Sequence, residues 1–435
     1  MLIENIELNN LESITDNTKE LNENRAFFLT NQNKQYLDQA KKLSANIINT
    51  KELKELFKID DNIKIVGITG TNGKTTTAAA LYSFLLDLGE KAALLGTRGF
   101  FINDEKIEEK GLTTPPTLSI YYNLYRAIQN QCKYFIMEVS SHAIDQDRIE
   151  DLQFALKIFT NITQDHLDYH KTFEEYKRVK GSFFSDETLK LINKDATQIN
   201  FNIKNCYTYA LDNPASFNVI AYTQRGGTSV ALQHFDKIVD FYSPLQGVFN
   251  IYNLVAAVGG VKLLTNHSLE DICEVVNNFA GVSGRMEIVS EDPLIIVDFA
   301  HTPDGMEKVL DSFKDMDVSV VFGAGGDRDK EKRALMGKVA NRYAKKIYIT
   351  SDNPRNEKPI DIIKDIYNGI DNCSKIAIEE DRKSAIRLAI ENMQNNEVLL
   401  ILGKGDEEYQ EINGKKIPFD DRVVAKTILQ EKINQ

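Results

Sequence analysis

The chain has 435 residues and carries 52 Lys and Arg against 64 Asp and Glu, so its formal charge at pH 7 is −12. At roughly 150 residues per domain this length predicts about three domains, and the composition, 42% hydrophobic and 27% charged, excludes a disordered or collagen-like chain. The acidic balance argues against a nucleic-acid-binding protein, which needs a basic face to neutralise phosphates, but it allows a small phosphate-containing ligand.

Targeting and disulfide signals are missing from the sequence. The first residues mix acidic and apolar side chains, so they lack the basic start and apolar centre of a secretory signal. No apolar run approaches the ~18 residues of a membrane span, and the four cysteines show no paired spacing. We therefore expect a cytoplasmic protein with no membrane segment, no disulfide framework and no cysteine-based zinc site.

The first 60 residues are rich in Asn, Lys and Glu and contain only short apolar patches. We expect them to form a small N-terminal domain with a helix over Gln35–Leu43. The β-branched run Ile63–Thr69 then predicts a strand, and a helix is expected to run on to Leu86. Between them lies the glycine loop Gly70-Thr71-Asn72-Gly73-Lys74-Thr75-Thr76.

A glycine loop between a strand and a helix is typical of a P-loop, whose backbone N–H groups and helix N-terminus hold phosphates. In that arrangement Lys74 reaches the outer phosphates and Thr75 offers its hydroxyl to Mg²⁺. The loop departs from the general pattern at Ile68, where the first glycine would stand. The alternative is a simple helix start capped by threonines.

Further short apolar runs predict strands that alternate with stretches long enough for helices, which favours a mostly parallel sheet. In the first pattern these strands are Lys91–Leu95, Tyr134–Val139, Ala155–Thr160 and Lys190–Asn193. A second pattern begins near Arg285, and its strands are Leu294–Asp298, Val318–Phe322, Lys346–Thr350 and Val398–Leu402. We predict domains at 1–60, 61–282 and 283–435.

Polar residues follow two of the predicted strands in the first pattern. Glu138 ends one strand, and His166 lies shortly after another. A carboxylate and an imidazole beside a P-loop suit a Mg²⁺ ion that neutralises charge during phosphoryl transfer. A structural Glu–His hydrogen bond explains the same residue types equally well, so both interpretations stay open at this point.

Three motifs taken together resemble the Mur ligases, which join amino acids to UDP-N-acetylmuramic acid derivatives. They are Gly70-Thr-Asn-Gly-Lys-Thr-Thr, Glu138-Val-Ser-Ser-His and Asn161-Ile-Thr-Gln-Asp-His-Leu-Asp-Tyr-His. The resemblance is nearly continuous from Ile63 to Arg422. It implies an α/β fold of three domains: a small, here shortened, N-terminal UDP-binding domain, a central P-loop ATP-binding domain with a parallel sheet, and a C-terminal Rossmann-like domain.

The resemblance also implies the metal and catalytic residues. Mg²⁺ would be held by Thr75, Glu138, His166 and a carbamylated lysine, which the match to Tyr176-Lys-Arg-Val-Lys180 places at Lys180. Without the resemblance, that lysine would be read as a solvated helix cation. Carbamylation requires a neutral lysine, and a basic, crowded site can lower its pKa enough. The implied catalytic residues are Lys74, Glu138, His166 and Lys180.

The nucleotide and acceptor contacts are implied in the same way. Residues that face ATP would be the loop Gly70–Thr76, together with Asn250, Asn253, Arg285, Asp298 and His301. Residues that hold the muramoyl peptide would be Thr113, Thr114, Ser140, Gln146 and Arg148. Read without the resemblance, the asparagines would be helix caps and Arg148 a surface ion pair. No residue of the N-terminal domain is assigned to uridine.

The turn Asp352-Asn353-Pro354-Arg355 looks like the signature of family members that add meso-diaminopimelate. Arginine presents a planar, charged fork, and diaminopimelate has a second carboxylate where lysine has none. The segment Gly403-Lys-Gly-Asp-Glu407 resembles a family motif that has histidine where Asp406 stands. The resemblance implies that Gly403 and Glu407 also contact the incoming amino acid. The family usually has tyrosine at the position of Phe299.

The expected function is therefore ATP-dependent addition of meso-diaminopimelate to the D-glutamate γ-carboxylate of UDP-N-acetylmuramoyl-L-alanyl-D-glutamate, through an acyl phosphate, in peptidoglycan precursor synthesis. We expect a monomer that binds ATP and Mg²⁺ and no nucleic acid. One alternative is a ligase similar to folylpolyglutamate synthetase, which adds glutamate to folate and would not need Arg355 to bind a terminal carboxylate. Another, from a different class, is a P-loop switch or motor that hydrolyses ATP without an acceptor.

Overall fold

The computed structural model describes residues 1–8, 11–43, 46–59, 62–196, 198–224 and 227–433. Within these ranges the strands form three larger sheets, one after another along the chain, and a separate hairpin. The predicted α/β architecture of three sheet-based domains is confirmed. The predicted boundary between residues 60 and 61 lies outside the described residues, and the exact domain limits stay predictions.

The N-terminal domain is a four-stranded sheet with two short helices. Its strands, in spatial order, are β1 (Leu2–Leu8), β2 (Leu11–Thr15), β3 (Arg25–Phe28) and β4 (Ile47–Ile48). Its helices are α1 (Leu37–Leu43), which agrees with the predicted helix, and α2 (Thr50–Leu56). Buried residues of this sheet, such as Phe28, pack with α2 and also with Leu118 and Tyr121 of the central domain. The N-terminal core is therefore completed by the neighbouring domain.

The central domain contains eleven strands, in the order β15-β14-β13-β12-β11-β10-β5-β9-β6-β7-β8. The middle strands are parallel: β5 (Lys64–Thr69), β6 (Ala92–Gly96), β9 (Tyr134–Glu138), β10 (Phe154–Phe159), β11 (Lys190–Asn193) and β12 (Cys206–Ala210). Their near-continuous apolar sequences fit strands that are covered on both faces. The four parallel strands predicted after the P-loop are confirmed to within one residue at each end.

Further strands extend both edges of this sheet through antiparallel pairs, and these were not predicted. At one edge they are β7 (Gly99–Ile102) and β8 (Glu105–Glu108). At the other edge β13 (Phe217–Thr223) pairs parallel with β12, and the antiparallel strands β14 (Thr228–His234) and β15 (Lys237–Ser243) follow it. Edge strands leave one face in solvent, so polar residues interrupt their apolar pattern. In β13, for example, Phe217 and Val219 are buried while the last four residues are exposed.

Seven helices cover the central sheet: α3 (Lys74–Asp87), α4 (Thr117–Gln129), α5 (Ser141–Asp145), α6 (Leu167–His170), α7 (Phe173–Ser182), α8 (Val248–Leu264) and α9 (Leu269–Val275). Helices α3 and α8 pack closely over one face. A Cβ atom at Gly260 of α8 would lie 2.6 Å from Leu81 Cδ1 of α3, so glycine permits this approach. The N-terminus of α3 is thereby held at the carboxyl edge of the sheet.

The C-terminal domain is a six-stranded sheet in the order β16-β17-β21-β18-β19-β20, parallel except for β16. Its strands are β16 (Glu287–Glu291), β17 (Leu294–Asp298), β18 (Asp317–Phe322), β19 (Lys346–Ile349), β20 (Ile376–Ile378) and β21 (Glu397–Leu402). Its helices are α10 (Pro303–Asp311), α11 (Glu331–Tyr343), α12 (Pro359–Tyr367), α13 (Arg382–Glu391) and α14 (Asp421–Ile433). Strands β22 (Tyr409–Ile412) and β23 (Lys415–Pro418) form the hairpin.

Separate apolar clusters lie on the two faces of the C-terminal sheet, so this domain has three layers. The fully buried pair Arg382–Asp421, 2.7 Å apart, ties α13 to the start of α14. The four predicted strands of this domain are confirmed, while β16, β20 and the hairpin were not predicted. All four cysteines of the chain are free. Within the described ranges, no helix combines the length and apolar character required to cross a bilayer.

Candidate active site

The glycine loop leaves β5 and enters α3, as the P-loop interpretation requires. Gly73 has a φ of +86°, and a Cβ atom there would lie 2.4 Å from Asn253 Oδ1, so only glycine fits. The loop is held by Asn161, whose backbone carbonyl accepts from Thr71 N and whose side-chain oxygen accepts from Asn72 N, both at 2.9 Å. The free N–H groups at the start of α3 therefore face a fixed position suited to an anion.

Lys74 is the cation of this loop. Its ammonium donates to the carbonyl oxygens of Gly70 at 2.7 Å and Thr71 at 2.9 Å, so it folds back over the loop. Burial lowers its pKa, although Glu138 and Asp165 act in the opposite direction. A buried ammonium that touches only carbonyl dipoles gains strongly from an anionic partner, such as the terminal phosphates of a nucleotide.

Glu138 provides the carboxylate next to the loop. It ends β9, is only 2% exposed, and accepts from Thr75 Oγ1 at 2.8 Å and from the backbone N–H of Thr97 at 2.9 Å. The hydroxyl and the carboxylate are hard oxygen donors, which is the ligand chemistry that Mg²⁺ prefers. The described residues contain no cluster of three or more His, Cys, Asp or Glu side chains arranged to hold a metal. Thr75 and Glu138 therefore fit a magnesium ion that takes its other ligands from phosphate and water.

His166 caps α6 and lines the same cleft as Glu138. Its Nε2 lies 3.5 Å from Asp165 Oδ2. Burial, the largest effect, lowers the pKa of His166 to about 3, although Asp165 opposes it. The imidazole is therefore neutral near pH 7, which is the form that binds metals.

Lys180 lies on α7 and is 1% exposed. Its amine donates to Gly70 O at 3.0 Å and Thr69 Oγ1 at 3.2 Å, and it lies 5.0 Å from the centre of the Tyr176 ring. Burial and the positive charge of Lys74 hold the pKa of Lys180 well below its usual range. The interpretation as a solvated helix cation is therefore wrong, and the side chain has the burial and low basicity that carbamylation needs.

A second cavity of about 700 Å³ opens beside the P-loop, between the central and C-terminal domains. It is lined by all five residues predicted to face the nucleotide beyond the loop, Asn250, Asn253, Arg285, Asp298 and His301. Asn253 donates to Asn250 Oδ1 at 3.2 Å, and the Arg285 guanidinium lies 4.1 Å from the centre of the Phe299 ring. Burial lowers the pKa of His301 to about 4, so its ring is neutral.

The residues predicted to bind the acceptor form a hydrogen-bonded group at the other side of Glu138. Ser140 N donates to Thr114 Oγ1 at 2.9 Å, and Arg148 donates to Thr114 O at 2.7 Å and to Gln146 Oε1 at 2.6 Å. Arg148 forms no ion pair with any residue that the structure describes, so the predicted alternative of a surface ion pair is wrong. Its charge is available to an anionic ligand.

The N-terminal domain docks at this same end. Gln32 Nε2 donates to the backbone carbonyl of Gln146 at 2.6 Å, and Asn31 donates to Glu150 at 2.9 Å. The N-terminal domain therefore lies next to the group formed by Ser140, Gln146 and Arg148, although sequence analysis assigned no residue there.

The predicted amino-acid residues lie on two C-terminal loops, which follow β19 and β21. Asn353 Nδ2 and Lys404 Nζ both donate to Glu407 Oε2 at 2.8 Å. Arg355 donates through Nε to Glu411 at 3.1 Å and through Nη1 to Gly326 O at 2.7 Å, while its Nη2 makes no hydrogen bond to the described part of the chain. The guanidinium is thus held in place, while its Nη2 nitrogen has no hydrogen-bond partner among the described residues.

A single cleft of about 370 Å³ joins the P-loop to the two C-terminal loops. Of the predicted residues, those that line it are Thr71, Asn72, Gly73, Lys74, Thr75, Thr76, Thr113, Glu138, His166, Arg285, His301, Asp352, Asn353, Arg355, Gly403 and Glu407. Those that do not line it are Gly70, Thr114, Ser140, Gln146, Arg148, Asn250, Asn253, Asp298 and Lys180, which support its walls or line the neighbouring cavity. The P-loop and the turn that contains Arg355 therefore face one space from two domains.

Several cleft residues were not assigned a role from the sequence. They are Thr97, Asp165, Arg328 and Lys332, all of which line the cleft. Arg328 follows the glycine-rich end of β18, which was a signal available in the sequence. Lys332 stands in a run of charged residues that reads as a solvated helix start, yet it is buried. Its burial comes from packing between domains, which local sequence does not reveal.

The fold and the cleft define a P-loop nucleotide-binding protein whose site is completed by a second α/β domain. Family profiles agree with this class: the pattern described as Mur ligase middle domain matches residues 68–261, and that described as Mur ligase, glutamate ligase domain, matches residues 284–405. The chain belongs to the Mur ligase family, and the resemblance inferred from its motifs is confirmed.

Curated relatives narrow the position within the family. The chain is 52% identical over 422 residues to the UDP-N-acetylmuramoyl-L-alanyl-D-glutamate–2,6-diaminopimelate ligase of Wolinella succinogenes, covering 97% of each chain. It is 53% identical to the enzyme of that name from Helicobacter pylori strain J99, covering 95% of this chain and 94% of the relative. A solved structure of an enzyme with the same name aligns with a TM-score of 0.67 at 28% identity, over 97% of this chain and 95% of that one.

Proposed function

We propose that this protein is an ATP-dependent ligase that adds meso-2,6-diaminopimelate to the D-glutamate γ-carboxylate of UDP-N-acetylmuramoyl-L-alanyl-D-glutamate, a step in peptidoglycan precursor synthesis. The observation that carries the proposal is that Lys74, Glu138 and Arg355 line one cleft. Phosphate chemistry and carboxylate recognition are thereby brought to the same space from two domains. The names and nearly full-length similarity of the relatives support the same reaction.

The reaction proceeds in two steps. The acceptor carboxylate oxygen attacks the γ-phosphorus of ATP, the bond to ADP breaks, and an acyl phosphate forms. The free amine of diaminopimelate then attacks the acyl carbon, phosphate leaves, and the amine loses a proton as the amide forms. The chain contributes mainly by holding the reacting groups and by neutralising charge, which is how enzymes accelerate phosphoryl transfer.

Lys74 and the N-terminus of α3 hold the terminal phosphates in this proposal. Thr75, Glu138 and the neutral imidazole of His166 would hold Mg²⁺, which supplies positive charge to the phosphates when it is bound. The cavity lined by Asn250, Asn253 and Arg285, together with Asp298 and His301, accommodates the rest of the nucleotide. Since the site is built from two domains, relative domain movement would admit the substrates.

We further propose that Lys180 carries a carbamate. Its neutral amine would attack CO₂, a proton would leave, and the new N–C bond would place a carboxylate on the side chain whose amine now contacts Thr69 and Gly70. The support is its burial and the lowered pKa of its amine. Mass spectrometry of the intact protein, in buffer with and without bicarbonate, would detect the added carboxyl group.

Arg355 is proposed to read the distal carboxylate of diaminopimelate. Its Nη2 is the nitrogen available to bind that carboxylate. The hydrogen-bonded group of Asn353, Lys404 and Glu407 contains a positive and a negative side chain, which suit the carboxylate and the ammonium of an amino acid. Lysine lacks that carboxylate, so it would leave the half-buried Arg355 guanidinium, whose side chain is 21% exposed, without this anionic partner and would bind more weakly.

The direct test is to measure phosphate release with ATP and UDP-N-acetylmuramoyl-L-alanyl-D-glutamate, adding meso-diaminopimelate or L-lysine. We expect release that requires the acceptor and strongly prefers diaminopimelate. Phosphate release without any acceptor would instead indicate a P-loop switch or motor. Glutamate addition to a folate acceptor would indicate the folylpolyglutamate type of ligase, and a preference for lysine would refute the role of Arg355.

A further inference from the structure

An ion pair joins the central and C-terminal domains at the rim of the cleft. Lys110 Nζ lies 2.8 Å from Asp406 Oδ2 and 3.9 Å from Glu408 Oε1, and it also donates to the backbone carbonyl of Asp406. The Asp406 side chain is 14% exposed and that of Lys110 is 36% exposed. The pair is therefore partly shielded from solvent and salt, unlike most surface ion pairs.

The two partners stand next to the residues proposed to hold the two reacting substrates. Lys110 follows β8 and comes just before Thr113 and Thr114, in the loop proposed to bind the acceptor. Asp406 comes directly before Glu407, in the loop proposed to bind the amino acid. The ion pair thus connects the loop proposed to bind the acceptor, which has the reacting carboxylate, to the loop proposed to bind diaminopimelate, which has the attacking amine.

The backbone around Asp406 is packed against the segment that links the two domains. A Cβ atom at Gly284 would lie 2.0 Å from the backbone nitrogen of Asp406, and one at Gly405, where φ is +54°, would lie 2.6 Å from Gly284 O. This contact fixes the Asp406 carboxylate relative to the C-terminal domain. Lys110, in contrast, belongs to the edge of the central sheet, so rotation of one domain against the other must change the distance between the two charges.

The other charges that face Asp406 do not replace Lys110. Glu408 repels it, and Arg422, which the negative charge of Asp406 helps to keep protonated, is already paired with Asp420 at 2.6 Å. Lys110 is the partner that comes from the opposite domain. The matching family motif has histidine at this position, whereas this chain has an acidic side chain that pairs with Lys110.

We propose that Lys110 and Asp406 form a closing ion pair that sets the spacing between the acceptor loop and the amino-acid loop. Both are positioning residues, because they hold the loops that touch the substrates and do not touch the reacting atoms. The part of this inference that concerns catalysis rests on the proposed ligase function. The part that concerns domain closure rests on the contacts alone.

The closing ion pair acts on the closed state, so its loss has a recognisable kinetic pattern. Opening the rim separates the two substrate loops, whereas the P-loop proposed to hold the terminal phosphates stays whole on the central domain. We therefore expect the KM values for acceptor and diaminopimelate to rise more than the KM for ATP, whose cavity is lined by both domains. A pair that merely stabilised the fold would change the melting temperature and leave the ratio of these KM values unchanged.

The test uses Lys110→Glu, Asp406→Lys and the double exchange, with Lys106→Glu as the control. Lys106 lies on β8, four residues before Lys110, and pairs with Glu109 on its own segment, so it undergoes the same charge change without an interdomain partner. Each single reversal should raise the KM for diaminopimelate and for the acceptor about three- to tenfold, which is the range expected when a partly shielded attraction becomes a repulsion. The double exchange restores the pairing of opposite charges, so it should return both KM values to within about twofold of those of the unmodified protein.

Small-angle X-ray scattering with the non-hydrolysable analogue AMPPNP and magnesium tests closure without any ligase reaction. The single reversals should increase the radius of gyration of the nucleotide-bound protein, and the double exchange should restore it. Equal effects on the KM for ATP, no rescue by the exchange, or unchanged scattering in the single variants would overturn the closing ion pair. If the unmodified protein shows no ligation, the proposed function fails, and scattering still decides whether this pair closes the domains.

Discussion

The two ends of the cleft are built in different ways. At the phosphate end, Lys74 bonds to carbonyl oxygens three and four residues away, and the loop, its cation and its helix are one continuous segment. At the amino-acid end, Asn353 bonds to Glu407, 54 residues away, and Arg355 bonds to Glu411, 56 residues away. The proposed phosphate site is thus formed by local backbone, whereas the proposed amino-acid site is formed by side chains that only the folded domain brings together.

This difference has an energetic consequence. The phosphate end presents N–H groups at the start of α3 that its own helix cannot satisfy, so any phosphate gains the same interactions. The amino-acid end presents charges that are already paired with one another, such as Lys404 with Glu407. A ligand there must match the existing pattern of charges. We therefore expect changes at the phosphate end to stop the chemistry, and changes at the other end to alter which amino acid is used.

The largest effect should come from Lys74→Ala. Removing the only lysine of the P-loop leaves the developing charge on the transferred phosphoryl group without its cation, so turnover should fall about a thousandfold or more. Phosphate release with all three substrates present measures this loss. Lys91→Ala, at an exposed lysine that bonds to Gln131 on the same domain, is the matched control and should keep full activity. Turnover within tenfold of normal in Lys74→Ala would show that the phosphate end does not depend on this cation.

The next largest effect is expected for Lys180→Ala. If Lys180 carries a carbamate that supports the metal, its loss should lower turnover about 10- to 100-fold, the range typical for groups that orient metal ligands. A short carboxylate such as acetate added to Lys180→Ala should restore part of the activity, because it can occupy the space of the missing group. Lys177→Ala, three residues away on α7, is the control, since its ammonium pairs with Glu174 outside the cleft. Unaltered activity in Lys180→Ala would remove the carbamate from the mechanism.

At the amino-acid end, Arg355→Lys should raise the KM for diaminopimelate about 10- to 50-fold and leave the KM for ATP within about twofold. A lysine cannot keep the bonds to Glu411 and Gly326 and still offer a second donor to a carboxylate, which explains the expected loss. Initial rates at varied diaminopimelate and at varied ATP separate the two KM values. Arg342→Lys, an exposed pair with Glu307 on the same domain, provides the control. Equal rises in both KM values would contradict a direct contact with the amino acid.

The same contrast explains how much the sequence could predict. The P-loop, its flanking strand and helix, and Glu138 at a strand end follow from local patterns, because backbone geometry determines them. The residue types of Asp352-Asn353-Pro354-Arg355 and Glu407 were identified through resemblance, but the pairing of Asn353 with Glu407 and Lys404 was not. Burial of Lys332 and the contact of Lys110 with Asp406 depend on how two domains pack, and local sequence contains no signal for that. The antiparallel edges were missed for a related reason, since half-exposed strands show weak apolar patterns.

The smallest effect is expected at Phe299, which lines both cavities at the junction of the two ends. Its ring lies 4.1 Å below the Arg285 guanidinium and meets the His301 ring edge-on, with 4.7 Å between centres. The contact with arginine uses the ring face, which tyrosine shares, so Phe299→Tyr should change AMPPNP affinity by less than about threefold. Phe299→Leu removes the aromatic face and should weaken binding about two- to fivefold.

Titration calorimetry with AMPPNP and magnesium measures both Phe299 variants, and Phe235→Leu, at an exposed phenylalanine of the β14–β15 turn, is the control. The decisive result is which of the two variants has an AMPPNP affinity nearer to that of the unmodified protein. Because a ring face positions Arg285 against the nucleotide cavity, tyrosine must resemble phenylalanine more closely than leucine does. If Phe299→Tyr instead strengthened AMPPNP binding tenfold, the added hydroxyl would be forming a hydrogen bond that this chain lacks. Hydrogen bonding, and not packing of the ring face against Arg285, would then determine nucleotide affinity at this position.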